Sequence, residues 1–313
     1  MGRRKSGRDI SGVIVLDKPL ELTSNAALQK VRRFFNARKG GHTGALDPLA
    51  TGILPLCFGE ATKLSHFALE ADKTYEVTAH LGVRTTTSDG EGEVVEQREV
   101  NLDNATLERA LQHFLGPQQQ SPSMFSALKY EGRPLYYYAR QGIEVPRKSR
   151  EIVIRSIRLL EFSGDYLSLE VTCSKGTYIR TLIDDMGQYF GCGAYVSALR
   201  RTWIEGVEGP MHTLAELEHL AAQCDPEQGD YRALDALLLP CDSVVQQIPQ
   251  VWVVDADAVR FVAGNPAAPV AGQTDVDHEV LRVKRESDDA LLGLGSWRGD
   301  KITPKRVLSI AKP

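Results

Sequence analysis

Near the start of the chain, apolar residues return at helical spacing. Leu28, Val31 and Phe35 share one stripe, and Lys30, Arg32 and Arg33 fall largely off it. Ser24 stands where an N-cap belongs, so the pattern predicts a helix over residues 25–37. Residues 74–81 alternate instead, with Tyr75, Val77, Ala79 and Leu81 on one side, which predicts a half-buried strand. Gly90-Glu91-Gly92 reads as a turn into a second strand around 94–100. Leu107, Leu111 and Phe114 mark a helix over 104–115, stopped by Gly116-Pro117. Residues 149–162 and 166–173 read as a strand pair around Ser163-Gly164-Asp165. A helix over 181–190 ends at Gly191-Cys192-Gly193.

Residues 205–242 read as mainly helical and acidic, with Leu214, Leu217 and Leu220 repeating. Ile248-Pro249 marks a boundary. Beyond it come a short helix near 256–263 and strands at 280–285, 291–296 and 306–310. Strands this closely spaced suggest a small separate β domain, barrel-like in pattern. Helices and strands mix along the chain without strict βαβ alternation, which favours an α+β fold.

Composition narrows the class. The chain has 313 residues, 42% hydrophobic and 25% charged, enough apolar material for a sizeable core. No run approaches the roughly 18 apolar residues of a membrane span. The apolar stretch 13–16 is too short for a secretory leader and is ended by Asp17-Lys18-Pro19. Five scattered cysteines without a C-x-x-C pair argue against a disulfide framework and a zinc knuckle, and for a reduced cytosolic protein. The net charge of −4 hides a segregation. Residues 1–63 carry eleven Lys/Arg against five Asp/Glu, residues 129–158 eight against three, and residues 205–242 one against nine. A basic face for a polyanion and ordinary solubilising charge both fit that distribution.

The densest chemistry lies between Lys39 and Lys63, where glycines alternate with His42, Thr43 and Asp47. Pro48 biases Asp47 towards an extended backbone, so its carboxylate stands on a stiffened loop; a plain Asx turn is the competing reading. The segment lacks the phosphate-loop pattern, and His42 has no spaced partners for a metal. Tyr75 is either a buried tyrosine with a hydroxyl partner or a functional ring. Arg180 and Tyr178 share a strand-to-helix passage, where an arginine commonly pairs with a carboxylate for structure alone.

These residues sit within longer strings: GGHTGALDPLATGILPL at 40–56, GVIVLDKP at 12–19, DKTYEVTAHLG at 72–82, PSMFSALKYEGRPLYYYARQGIEVPR at 122–147 and CSKGTYIRTLIDDMG at 173–187. In chain order, over nearly the whole chain, they resemble the bacterial TruB-type tRNA pseudouridine synthases. The last 65 or so residues are similar, more loosely, to a PUA domain. The resemblance implies an α+β fold with a mixed, largely antiparallel central sheet of the pseudouridine synthase type, flanked by helices, and a small C-terminal β-barrel-like PUA domain. It implies a basic N-terminal arm (1–10), a catalytic domain (11–247) with an RNA-contacting insertion at about 122–150, and a PUA-like RNA-binding domain (248–313).

The implied activity is isomerisation of the T-loop uridine (position 55) of many tRNAs, without cofactor or metal. The N1–C1′ bond breaks, the uracil turns, and C5 bonds to C1′, which requires the base to be flipped from its stack. The family's essential aspartate matches Asp47 and must be ionised; Arg180 matches its partner cation. Tyr75 matches the aromatic that stacks on the flipped base, and His42 the residue that enters the vacated space. Tyr178, Leu199 and Lys18 match further substrate-binding positions. Attack on C1′, addition to C6 and abstraction of a ribose proton all use the same carboxylate and stay open. The implied partner is the tRNA T stem-loop, met by a cytoplasmic monomer with no membrane and no required protein partner. Two other readings compete: a tRNA-folding module with secondary chemistry, and a guide-RNA-dependent ribosomal RNA synthase.

Overall fold

The computed structural model describes residues 7–273 and 279–309. Most of the expected N-terminal arm and the end of the last expected strand, Ile310, lie outside the described residues. In chain order the first elements are β1 (Gly12–Lys18), α1 (Ser24–Phe34), β2 (Gly40–His42), β3 (Ala50–Phe58) and α2 (Ser65–Leu69). Next come β4 (Lys73–Leu81), β5 (Val83–Thr85), β6 (Val94–Gln97), α3 (Asn104–His113) and β7 (Gly116–Gln120). The insertion carries β8 (Lys129–Tyr130), β9 (Arg133–Pro134) and α4 (Leu135–Ala139). Then follow β10 (Arg150–Ser163), β11 (Tyr166–Cys173), α5 (Ile179–Phe190), β12 (Ala194–Ile204), β13 (Met211–Thr213), α6 (Leu214–Ala221) and α7 (Arg232–Asp235). The C-terminal part holds β14 (Gln250–Val253), α8 (Asp255–Val262), β15 (Leu281–Arg285), β16 (Leu291–Arg298) and β17 (Lys301–Val307).

The chain divides into two compact units: residues 1–47, 53–70 and 205–313 form one, residues 48–52 and 71–204 the other. In the second unit, β12, β4, β11, β10 and β7 follow one another antiparallel, and Ala50–Gly52 of β3 lies parallel on β12. The face carrying Val77, Ala79, Leu167, Leu169 and Val171 is buried. Helix α5 packs on β12 so closely that a Cβ at Gly187 would lie 2.2 Å from the Ala194 nitrogen, which is why this helix tolerates a glycine there. Gly191, with φ +81°, ends α5 in the left-handed cap expected from the sequence.

In the first unit, β13, β1 and β3 are neighbours and β2 pairs with β3. Val13, Ile14, Val15 and Leu16 of β1 are all at most 1% exposed. The C-terminal strands form a four-stranded sheet, β14-β15-β16-β17, over its own core of Val251, Phe261, Val283, Leu292 and Ile302. This β domain is also joined to the rest of its unit. Leu294 and Leu308 are buried in a cluster with Val13, Val15, Cys57 and Val244. Arg282, 6% exposed, donates to Asp242 Oδ2 (3.0 Å), to the Ile248 carbonyl (2.8 Å) and to the Gln246 carbonyl (3.2 Å).

The α+β architecture, with a mixed sheet flanked by helices and a C-terminal β domain, agrees with expectation. Strands β1, β3 and β12 carry no clear alternation. Most positions of β1 and β3 are buried, so they read as apolar runs rather than strands. Residues 205–242 are less helical than their leucines suggest. Pro226, Gly229 (φ +71°) and Pro240 interrupt them, leaving α6, the single turn α7 and a 3-10 turn at Cys241–Val244.

The buried Arg282–Asp242 pair generates a stability prediction. Asp242→Ala removes the carboxylate facing Arg282, with Lys284 3.9 Å away, and should cost about 3–5 kcal/mol. Urea denaturation with a probe in the C-terminal sheet checks this; a loss below about 1 kcal/mol, the range of exposed pairs, would show that apolar packing alone docks the sheet.

Candidate active site

In the first unit, the backbone before Asp47 is gripped by one hydroxyl. The Leu46 N–H donates to Ser24 Oγ (2.7 Å), and the Ser24 hydroxyl donates to the Leu46 carbonyl (3.0 Å). Ser24 is only 3% exposed, and it is not the cap of α1. That role belongs to Thr23, whose Oγ1 accepts from the Ala26 N–H at 3.0 Å. Two hydroxyls in a row thus divide the work: one closes the helix, the other fixes the loop. Gly44, with φ +78°, turns the loop ahead of that clamp, and the Thr43 N–H donates to the Pro55 carbonyl (3.1 Å). His42 ends β2, paired with Leu56. Lys18 is fully buried at the end of β1. Its ammonium donates to the Pro19 (2.8 Å) and Leu22 (2.7 Å) carbonyls, holding the turn into α1.

In the second unit, Tyr75 lies half-buried on β4 between Arg201 of β12 and Val171 of β11. Leu199, 8% exposed, is paired on one side with Val77 and on the other with Ala50. Two residues on, Gly52 (φ +98°) pairs with Arg201, and a Cβ there would meet the Arg201 carbonyl oxygen at 2.2 Å. The glycine after the Asp47 loop is therefore required by the approach of β12.

Tyr178 is the N-cap of α5, and Gln120 holds its backbone on both sides. The Tyr178 N–H donates to Gln120 Oε1 (2.8 Å), and Gln120 Nε2 donates to the Tyr178 carbonyl (3.0 Å). Arg180, 4% exposed, donates from one terminal nitrogen to the Thr87 carbonyl and Asp89 Oδ2 (both 3.0 Å), and from the other to the Phe125 carbonyl (2.9 Å). Asp89, 2% exposed, also accepts from Thr87 Oγ1 (2.5 Å) and the Glu91 N–H (3.1 Å). Sequence reading passed over Asp89. The available signal was Asp89 directly before the Gly90 turn; what it hid was that the carboxylate points inward.

The structure thus brings Tyr75, Tyr178, Arg180 and Leu199 into one unit, and Lys18, His42 and Asp47 into the other. Among the described residues no group of three His, Cys, Asp or Glu could hold a metal ion. Burial pushes the Cys57 and Cys241 thiols up to about 12 and Cys173 to about 11, which removes them as nucleophiles at neutral pH. No helix among the described residues is long and apolar enough to cross a membrane.

The insertion is rich in exposed aromatics beside cations. Tyr136 and Tyr137 are exposed, with the Arg140 guanidinium 5.5 Å from the first ring and Arg133 4.4 Å from the second. Elsewhere, basic residues are consumed internally. Arg8 pairs with Asp235 and lies 4.2 Å over the Tyr231 ring. In the C-terminal sheet, Lys284 is bonded to Asp289 and Arg285 to Asp288, both at 2.7 Å.

Comparison with known proteins gives a consistent picture. The model of the TruB family pseudouridylate synthase N-terminal domain matches residues 32–179, and that of the tRNA pseudouridylate synthase B C-terminal domain matches residues 180–246. The tRNA pseudouridine synthase B of Idiomarina loihiensis is 53% identical over 308 residues, covering 98% of this chain and 97% of its own. That of Photobacterium profundum is 52% identical over 314 residues, covering 99% and 98%. Among solved structures, a chain in the crystal structure of a Cbf5-Nop10-Gar1 complex superposes with a TM-score of 0.72 at 25% identity, covering 96% of this chain and 85% of that one.

The two adjacent hydroxyls can be separated experimentally. Ser24→Ala should raise hydrogen–deuterium exchange around Leu46 while leaving α1 protected, and Thr23→Ala should do the reverse, costing about 1 kcal/mol of helix stability. Fraying of α1 in the Ser24 variant would return the capping role to Ser24.

Proposed function

Because the chain belongs to the TruB family of pseudouridylate synthases, we propose that it converts the T-loop uridine of tRNA, position 55, to pseudouridine, with Asp47 as the essential carboxylate and the base flipped from its stack. The observation that carries this reading is the loop itself. Asp47 follows a backbone clamped on both its N–H and C=O by Ser24, and Pro48 stiffens the chain directly after it. A carboxylate on so constrained a backbone suits a reaction in which one oxygen must meet an atom of the ribose or uracil, carbon or proton, in a fixed geometry.

The reaction is an isomerisation. One C–N bond breaks, one C–C bond forms, the C5 proton leaves and the freed N1 takes up a proton, so neither electrons nor a group donor are needed. Arg180 serves as the cation that keeps Asp47 ionised. Its anchorage on Thr87, Asp89 and Phe125 keeps the guanidinium from swinging. Tyr75 stacks on the flipped base, and His42 enters the space the base leaves. Tyr178 and Leu199 line the pocket, and Lys18 supports it by holding the turn from β1 into α1. The insertion, with exposed tyrosines beside arginines, suits the splayed bases and phosphates of an RNA loop. The enzyme acts as a cytoplasmic monomer.

The relatives that share half of their residues along their whole length bear the name of a tRNA enzyme, which favours tRNA over a guide-RNA-dependent target. Purified protein given an unmodified tRNA transcript and no guide RNA should form pseudouridine; a requirement for added guide RNA would overturn the reading. The C-terminal β domain is PUA-like and adds RNA affinity rather than chemistry. Its deletion is a poor test, since Leu294 and Leu308 belong to the cluster around Val13 and Val15.

Two outcomes follow for the chemistry and one for affinity. Asp47→Asn should give no tritium release from C5-labelled tRNA while binding within about tenfold, or ~1.4 kcal/mol, of the parent. Release by that variant would assign the chemistry elsewhere, whereas loss of binding would make Asp47 a binding rather than a chemical residue. Arg180→Lys keeps the charge but not the forked geometry that spans three acceptors, so turnover should fall by about 100-fold, or ~2.7 kcal/mol. Lys305→Glu with Arg306→Glu should raise the tRNA Kd and flatten its salt dependence, with saturated turnover retained; an unchanged Kd would remove this face from the RNA path.

A further inference from the structure

Arg150 opens β10 at the exit of the insertion, and its guanidinium lies 4.8 Å from the centre of the Tyr178 ring. The fit is built. A Cβ at Gly176, where φ is +78°, would stand 3.2 Å from the guanidinium carbon and one terminal nitrogen, so a side chain there would crowd the cation. Arg150 is paired in the ladder with Gln120, the residue that grips the Tyr178 backbone on both sides. One strand pair therefore fixes Tyr178 by backbone and by ring.

What distinguishes Arg150 is its missing acceptor. The arginines at 84, 180 and 282 all meet a carboxylate within 3.0 Å. Among the described residues the Arg150 side chain makes no ion pair or hydrogen bond, and its Nε is buried without a partner. Ring contact orients a guanidinium but supplies no hydrogen-bond acceptor, and a partly buried cation with a buried unpaired Nε–H is costly unless an anion completes it.

We propose that Arg150, braced on Tyr178, is a binding site for one phosphodiester of the substrate RNA, next to the nucleotide taken into the pocket. This rests on the tRNA reading and deepens it. A planar fork matches the oxygens of a phosphate, and stacking on Tyr178 would link backbone capture to the orientation of a pocket-lining ring. Two residues before Arg150, at the same chain exit, the exposed Lys148 supplies a further cation.

The test compares wild type, Arg150→Gln and Arg150→Lys on a T stem-loop RNA. Arg150→Gln should raise Kd about tenfold (~1.4 kcal/mol), with the loss falling on KM more than on kcat. Its slope of log K against log salt should be shallower by roughly 0.7–0.9, the value of one phosphate contact. Arg150→Lys keeps the slope and loses only the fork. A series of RNAs carrying single methylphosphonates should reveal one position that weakens wild type and leaves Arg150→Gln unaffected, a coupling that a merely structural role cannot produce. A fall in kcat with unchanged slope and no coupled position would overturn the proposal and make Arg150 a positioning residue for Tyr178. Should Arg150→Gln not fold, Arg150→Lys decides: no methylphosphonate position at which its deficit disappears overturns the site. Failure of the wild-type protein to modify tRNA would instead sink the underlying assignment.

Discussion

The buried guanidinium of Arg180 is the constraint on which the second unit is organised. Burying a cation is expensive, and the cost is offset only if several acceptors are held in place around it. Here the acceptors come from two separate stretches, Thr87 and Asp89 after β5 and Phe125 at the entry to the insertion, while the guanidinium comes from the first turn of α5. The loop before β6, the root of the insertion and the helix are thereby tied to one point. Asp89 in turn needs Thr87 and the Glu91 N–H to remain in place. A group that is only a partner in the proposed chemistry is at the same time the tie that assembles its surroundings.

The candidate site repeats one device, a side chain that closes on both polar atoms of another residue's backbone. Ser24 does so for Leu46 and Gln120 for Tyr178, while Lys18 spends its ammonium on the carbonyls of Pro19 and Leu22. Each clamp is itself buried, so water cannot compete for its hydrogen bonds. The result is a set of candidate site residues that stand on loops and helix ends whose backbone is held by buried hydrogen bonds. In the proposed reaction, preorganisation of this kind would lower the cost of bringing the base into reactive alignment.

Charge along the chain and charge available to RNA are different quantities. Arg8, Lys284 and Arg285 contribute to basic stretches of sequence, yet each is bonded to an aspartate of the same unit. Lys30 and Arg33 on the exposed side of α1 and Arg133 and Arg140 of the insertion are exposed or stacked on rings instead. An intramolecular carboxylate removes a cation from the field that a polyanion meets.

Local pattern was sufficient wherever one face of an element is buried and the other is wet. The stripe of α1, the alternation of β4, the β10–β11 pair and the glycine stop of α5 were all legible, because burial on one side writes a period into the residues. The string around Asp47 was legible too, since its glycines and proline are dictated by tight turns and by the approach of β12. The strands β1 and β3, mostly buried, carried no period, and only tertiary structure separates them from other apolar runs. The tertiary structure also decided what the hydroxyls, carboxylates and cations do. Asp89 meets Arg180 across 91 positions of sequence, Ser24 meets Leu46 across 22, and Arg282 meets Asp242 across 40. A hydrogen bond depends on a few tenths of an ångström between atoms brought together by the whole fold, and no local periodicity records that distance.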